Sequence, residues 1–218
     1  SPAEMHAEHF LERLDRLDDH EVPDALALYY DPPLVRQLLA HAPERGHGDR
    51  VAIHWEGEPG DTRTLTYLQL SLEVNRLANA LKTMGVKKGD VVGIYLGMIP
   101  EALISMLACA RIGATHNVVF GGFSGEALRD RLNDSRAKIL LTQDGANRRG
   151  SPSALKGAVH DVLDQVPTLQ KVLVFKRTGQ TTPMKEGRDL WWSDVVSKES
   201  DVCKAEALDS EHPLYILY

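Results

Sequence analysis

Apolar and polar positions alternate along this chain in two different periods from residue 50 onward. Short apolar runs predict β-strands at residues 51–55, 62–65, 91–96, 115–119, 138–142 and 171–175. Stretches with apolar residues three and four apart predict α-helices between Thr66 and Gly85 and at residues 100–113, 125–135 and 153–166. Strands that alternate with helices are typical of βαβ units. The pattern therefore predicts an α/β fold, with an open, mostly parallel sheet and helices on both faces.

Local signals mark where several of these helices begin and end. Thr66 followed by Gln69 forms a capping box, in which each side chain binds a free backbone N–H group. Gly85 suits the left-handed residue that closes a helix. Pro100 suits a first helical turn, where its missing N–H is not needed. Ser124 is the predicted N-cap of the helix that follows it.

The two ends of the chain differ from this regular middle. Residues 1–49 are polar and loop-rich after one amphipathic stretch, and we expect them to form an extension that packs on the body. Residues 50–218 form the predicted α/β body. They end in a polar loop, a short helix at residues 189–196 and a strand signal at residues 213–218. Because a domain seldom ends on a strand, we expect the chain to be cut from a longer protein there.

Composition excludes several classes of protein. The chain has 218 residues, and its 25 basic and 31 acidic side chains give a net charge of −6, which argues against nucleic-acid binding. The longest apolar runs fall far short of the roughly 18–20 residues of a membrane span, and the first residues lack a secretory signal. We expect a cytoplasmic protein with neither nucleic acid nor membrane as a partner. Cys109 and Cys203 lie far apart; Cys109 is predicted to be a small buried hydrophobe, with a disulfide or a catalytic thiol as the alternatives.

A glycine-rich turn is the first candidate for chemistry. Residues 120–124, which include Gly121 and Gly122, follow a predicted strand directly and precede a helix. Glycines there let a backbone come close to a ligand, and the helix N-terminus adds partial positive charge. The alternative is a tight turn without a ligand, and both interpretations stay open, because the turn matches neither standard phosphate-loop motif.

Basic residues cluster after this turn, although the chain as a whole is acidic. Seven of them fall within residues 129–156: Arg129, Arg131, Arg136, Lys138, Arg148, Arg149 and Lys156. We expect Glu126, Asp130 and Asp134 to pair with the first two on a solvated helix face. The predicted loop at residues 143–151 carries Arg148 and Arg149 to the same sheet edge as the glycine turn. Anion binding and a solvated surface both remain possible for them.

Histidines give no catalytic or metal-binding pattern. His6 and His9 lie three residues apart on a predicted helix, but no third ligand has suitable spacing, so a surface pair is expected. His116 lies inside a strand and is predicted to be a core residue rather than a base. No Ser-His-Asp arrangement is present. The sequence thus predicts neither a catalytic nor a metal-binding residue in this chain.

Several segments together resemble one enzyme family, the AMP-forming acetyl-CoA synthetases of the acyl-adenylate-forming superfamily. The matching segments, in chain order, are residues 86–92, 98–102, 107–114, 118–124, 188–192 and 209–218. The resemblance implies a ligase that converts acetate and MgATP to acetyl-adenylate and pyrophosphate, after which the CoA thiol takes the acetyl group. In this family the last strand runs into a Gly/Ser/Thr-rich loop that handles ATP phosphates. We therefore expect this chain to be inactive alone and to need the remaining part of its polypeptide.

The resemblance also assigns part of a CoA site. It implies that Phe120, Gly121 and Gly122 pack on the CoA adenine and that Arg148 contacts the phosphate end. Ser151 stands where the family has a second arginine, with Arg149 displaced nearby. ATP, Mg and CoA are implied for the full enzyme, but only CoA contacts are expected here. The alternatives are a propionyl- or other short-chain acyl-CoA synthetase, and a non-catalytic nucleotide- or CoA-binding module.

Overall fold

The computed structural model describes residues 46–218. Most of the predicted extension and the pair His6 and His9 lie outside the described residues. Within them the elements, in chain order, are β1 (Val51–Glu56), β2 (Thr62–Thr66), α1 (Tyr67–Thr83), β3 (Val91–Tyr95), α2 (Pro100–Ile112), β4 (Thr115–Val118), α3 (Gly125–Asp134), β5 (Ile139–Gln143), β6 (Gly145–Arg148), β7 (Ser151–Ala154), α4 (Lys156–Val159), β8 (Lys171–Phe175), β9 (Asp189–Trp191), α5 (Trp192–Val196) and β10 (Tyr215–Ile216).

Six strands form one sheet in the order β10-β4-β3-β5-β8-β9, and every neighbouring pair is parallel. From β3 the chain passes to β4 on one side, and it then crosses over to β5 on the other side. The strand order therefore reverses between β3 and β5. Open α/β sheets bind ligands at such a switch point, outside the carboxyl ends of the strands.

The sheet is buried on both faces, as the apolar strands predicted. Alternate strand residues face two separate cores: Ile139 and Leu141 pack with α1 and α2, whereas Leu140 packs with α3. The first core includes Leu77 and the second includes Leu128. This arrangement confirms the predicted α/β class with helices on both faces.

Predicted helix boundaries are confirmed where the signal is local. Thr66 Oγ1 accepts a hydrogen bond from the Gln69 N–H at 3.2 Å, and Gln69 Oε1 accepts one from the Thr66 N–H at 2.9 Å. Gly85 follows α1 with a left-handed φ of 92°. Pro100 begins α2, and Ser124 Oγ accepts from the Ala127 N–H at the start of α3.

The prediction of one helix over residues 153–166 is wrong. Its first residues lie in a strand, and the rest forms two short helical segments. Residues 151–154 form β7, which pairs antiparallel with β6, so the arginine segment is a hairpin rather than a loop. Arg149 and Gly150 have φ values of 54° and 76°, the left-handed pair that a two-residue hairpin turn requires. Pro152 is tolerated because the ribbon has only two strands. Only α4 and a 3₁₀ turn at Val162–Gln165 follow.

The C-terminal elements need a smaller correction. The helix predicted at residues 189–196 begins at Trp192, because Asp189–Trp191 joins the sheet as β9 beside β8. Cys109 and Cys203 are both buried free thiols, so the disulfide alternative is wrong. Burial raises the pKa of the Cys109 thiol to about 12. Cys109 is therefore a protonated core residue, as its apolar surroundings predicted.

Candidate functional site

A cleft of about 290 Å³ opens at the switch point of the sheet. Four segments supply most of its walls, and they are residues 55–58 at the end of β1, 96–99 after β3, 120–122 after β4 and 146–148 on β6. Gln143, Leu155 and Arg177 complete the lining. The cleft thus lies where the carboxyl ends of the central strands meet.

The glycine turn forms one wall, and its small residues are needed there. Phe120 is 60% exposed and lines the cleft. A Cβ atom on Gly122 would lie 2.5 Å from Phe120 Cε1 and 3.0 Å from Arg148 Nη1, and one on Gly121 would lie 3.2 Å from the Leu96 carbonyl oxygen. Any side chain at Gly122 would therefore push the ring or the guanidinium away.

The structure separates the two arginines of the hairpin. The Arg148 guanidinium lies 5.9 Å from the centre of the Phe120 ring and lines the cleft. Arg149 is exposed at the hairpin tip and is not among the lining residues. Ser151 is the register partner of Arg148, which places both side chains on one face of the ribbon. Of the five predicted residues, Phe120, Gly121, Gly122 and Arg148 come together, and Arg149 lies beside them.

A second part of the lining, Trp55 and Arg177, was missed by the sequence reasoning. The Arg177 guanidinium lies 5.1 Å from the centre of the Trp55 ring, and its Nη2 donates to Asp61 Oδ1 at 2.8 Å. That hydrogen bond lowers the pKa of Asp61 below its ordinary value. Trp55 Nε1 donates to the Met98 carbonyl oxygen at 2.7 Å, which ties β1 to the loop after β3. Because Arg177 follows β8 by two residues, its position just beyond a strand end was the available signal.

The floor of the cleft is held by hydrogen bonds to the backbone. Gln143 Oε1 accepts from the Gly97 N–H at 2.9 Å, and its Nε2 donates to the Gly145 carbonyl oxygen at 2.7 Å. Asp144 follows directly, with a buried carboxylate. At the rim, Glu58 Oε1 accepts from the Gly150 N–H at 2.6 Å, so the tip of the arginine hairpin touches the β1–β2 turn.

Two further sequence predictions have clear outcomes. His116 is 1% exposed, and burial lowers its pKa to about 4, so it is a neutral core residue as predicted. Arg129 pairs with Asp130 at 2.7 Å, as expected. Arg131 instead lies over the rings of Phe123 and Tyr218, at 4.5 and 5.3 Å.

Comparison with known proteins identifies the family. A family model described as AMP-binding enzyme matches residues 39–218. The chain belongs to the AMP-binding enzyme family. This membership confirms the resemblance drawn from the segment motifs.

The relatives of this chain are named as acyl-CoA synthetases of two kinds. The chain is 58% identical over 175 residues to an acetyl-coenzyme A synthetase of Streptomyces avermitilis, covering 80% of this chain and 27% of that protein. It is 48% identical over 217 residues to that of Deinococcus radiodurans, covering 98% and 33%. The solved acetoacetyl-CoA synthetase of Streptomyces lividans superposes with a TM-score of 0.75 at 26% identity, covering 86% and 28%. The chain spans a third or less of the length of these three proteins.

The described residues contain neither a membrane-spanning helix nor a metal-binding cluster. None of the helices in residues 46–218 combines the length and apolar character needed to cross a membrane. In the same residues no group of three or more His, Cys, Asp or Glu side chains is arranged to hold a metal ion.

Proposed function

We propose that this chain is part of an acetate–CoA ligase. The full protein would convert acetate and MgATP to acetyl-adenylate and pyrophosphate, and it would then transfer the acetyl group to the CoA thiol. The observation that carries the proposal is the 58% identity to an acetyl-coenzyme A synthetase over 80% of this chain. Attachment of AMP gives an unreactive carboxylate a good leaving group, which is the chemical reason for the first step.

The proposal also assigns the ligand contacts to different parts of the polypeptide. Residues 50–218 would be the N-terminal α/β subdomain of the adenylating domain, with residues 1–49 as an extension packed on it. Because the related proteins are about three times longer, the ATP, Mg and acetate contacts would come from the remaining part of the polypeptide. The partners of the full protein would then be its small-molecule substrates, and neither nucleic acid nor a membrane would be among them.

Within this chain the cleft would hold the nucleotide end of CoA. The exposed Phe120 ring offers an apolar face for the adenine, and Gly121 and Gly122 allow a close approach. The Arg148 guanidinium beside that ring suits a phosphate group. Arg149 would add a second positive charge at the hairpin tip. A cleft of about 290 Å³ is at the small end of ligand sites, which suits one end of a long cofactor.

A substrate panel tests the proposal. The full gene product is incubated with ATP, Mg and CoA and with acetate, propionate or acetoacetate, and AMP and thioester are measured. We expect acetate to give the highest kcat/KM, and residues 1–218 alone to release no pyrophosphate. Formation of neither AMP nor thioester from any acid would refute the ligase and favour a non-catalytic CoA-binding module.

A different short-chain acid is the second candidate substrate. The observation that favours it is the similarity to a solved acetoacetyl-CoA synthetase, at a TM-score of 0.75. The same panel separates the two, because a preference for acetoacetate or propionate over acetate would assign the longer acyl group.

A further inference from the structure

Asp144 lies beneath the cleft at the junction of three segments. The residue directly follows β5 and is 1% exposed. Its N–H donates to the Phe175 carbonyl oxygen at 2.9 Å, and its own carbonyl oxygen accepts from the Leu155 N–H at 3.0 Å. The backbone is therefore fixed to the end of β8 and to the chain that leaves the arginine hairpin.

The buried carboxylate is surrounded by backbone N–H groups. Its Oδ1 accepts from the N–H groups of Gly145 and Arg177, both at 2.7 Å, and from that of Thr178 at 3.0 Å. Its Oδ2 accepts from Gly179 at 2.7 Å and from Thr178 at 3.2 Å. Gly179 has a left-handed φ of 74°, which lets successive N–H groups converge. No ion pair in residues 46–218 includes Asp144, so backbone dipoles balance its charge.

The two segments bound by this carboxylate carry the two guanidinium groups of the cleft. Gly145 begins β6, which ends at Arg148, and Arg177 is the second residue of the loop after β8. The segments are in close contact, since a Cβ on Gly145 would lie 2.5 Å from Thr178 Oγ1. Both arginines line the cleft, Arg148 beside the Phe120 ring and Arg177 beside the Trp55 ring.

We infer that Asp144 is a positioning residue that sets the distance between the two arginine-bearing walls and thereby the fit of CoA. The inference rests on the proposed CoA role of Arg148. Asp144 would not touch CoA itself, because it is buried below the lining residues. Its effect would reach the ligand through Gly145 and β6 on one side and through Arg177 on the other.

Asp144→Asn is the most direct perturbation. The amide has the same shape, but its NH₂ group faces N–H donors in place of an acceptor oxygen, so at least one side of the N–H cluster must open. In the full gene product we expect the KM for CoA to rise about tenfold. Acetate-dependent ATP–pyrophosphate exchange should stay within about twofold of the wild type, because it does not use CoA.

A double-mutant cycle with Arg148→Ala distinguishes positioning from general destabilisation. If part of the effect of Asp144 runs through Arg148, the double variant should raise the KM for CoA by less than the product of the two single effects. Asp189→Asn is the control, because it also alters a buried carboxylate, and neither Asp189 nor its partners Lys156 and Arg188 are among the lining residues. It should lower the melting temperature and leave the KM for CoA unchanged.

A milder variant keeps the test available if Asp144→Asn does not fold. Gly179→Ala strains the same N–H cluster through its left-handed φ, with no atom in the way of the new methyl group. Gly187→Ala is its control, with a φ of 79° in the same loop and equally open space. We expect only Gly179→Ala to raise the KM for CoA.

The outcomes separate the inference from the proposed function. An unchanged KM for CoA in Arg148→Ala would overturn the CoA role of this cleft. A raised KM in Arg148→Ala, together with a normal KM in both Asp144→Asn and Gly179→Ala, would overturn the inference alone. So would a double variant whose effect is the product of the two single effects.

Discussion

The buried ion pair of Lys156 and Asp189 should dominate the response of this fold to mutation. Both side chains are 0% exposed, and Lys156 Nζ lies 2.5 Å from Asp189 Oδ2. Lys156 also contacts the Pro183 carbonyl oxygen, and its Nζ lies 2.6 Å from His160 Nδ1. Removing one partner from a buried pair costs about 3–5 kcal/mol, because the other charge is left without compensation.

The contacts that remain after each substitution predict which partner of the pair is more costly to remove. Lys156→Met leaves Asp189 with Arg188 Nε at 2.6 Å and the Lys185 N–H at 2.9 Å, so we expect a loss of about 3 kcal/mol. Asp189→Leu leaves the buried Lys156 ammonium with only neutral partners and also removes one carboxylate partner of Arg188. We therefore expect a loss of about 5 kcal/mol in the free energy of unfolding. For a chain of this size these losses correspond to about 6–12 °C and 10–20 °C in melting temperature.

Thermal unfolding of the purified single and double variants measures these losses of stability. The double variant, Lys156→Met with Asp189→Leu, should lose clearly less than the sum of the single losses, since neither charge remains buried alone. Additive losses, or a Lys156→Met effect below about 1 kcal/mol, would show that the pair is not the buried, dry interaction described above.

Three further predictions concern the cleft and the response to acid. Gly122→Ala should raise the KM for CoA in the full gene product, because its Cβ would displace the Phe120 ring; an unchanged KM would contradict that. Arg149→Asn should raise the melting temperature slightly, because Asn tolerates the left-handed turn at this position. The same variant removes the positive charge of Arg149, so a lower CoA affinity would assign Arg149 to the site. Burial alone would raise the pKa of Asp189, but hydrogen bonds from Arg188 and Lys156 place it below the ordinary 3.8. The stabilisation is therefore present above pH 3.8 and lost as the pH falls below it; acid unfolding of Asp189→Asn should lack this component, and a profile identical to that of the wild type would refute it.

The parts of the fold that the sequence predicts are those with local causes. Thr66 and Gln69 cap α1 through each other, and Pro100 starts α2 without a distant partner. By contrast, the residues around Pro152 resemble a helix start, and only their pairing with β6 makes them a strand. Burial of Lys156 against Asp189, 33 residues later, fixes the chain just beyond that hairpin, and no local pattern reveals this contact.

The candidate site divides in the same way. Phe120, Gly122 and Arg148 are predictable because they follow strand ends, and parallel strands bring those ends to one edge. Trp55 and Arg177 form their wall only when the turn after β1 meets the loop after β8, and the Arg177–Asp61 contact spans 116 residues. Such long-range contacts leave no periodic signal in the chain.

The hydrogen bonds beneath the cleft have a kinetic consequence. Gln143 reaches a residue 46 positions away, and Asp144 reaches one 35 positions away. These bonds can close only after β3, β5 and β8 have paired, so we expect the cleft to be assembled late in folding. A ligand that binds there would then slow unfolding while leaving the folding rate nearly unchanged. Contacts in the cleft would therefore stabilise the folded sheet against unfolding without taking part in its folding nucleus.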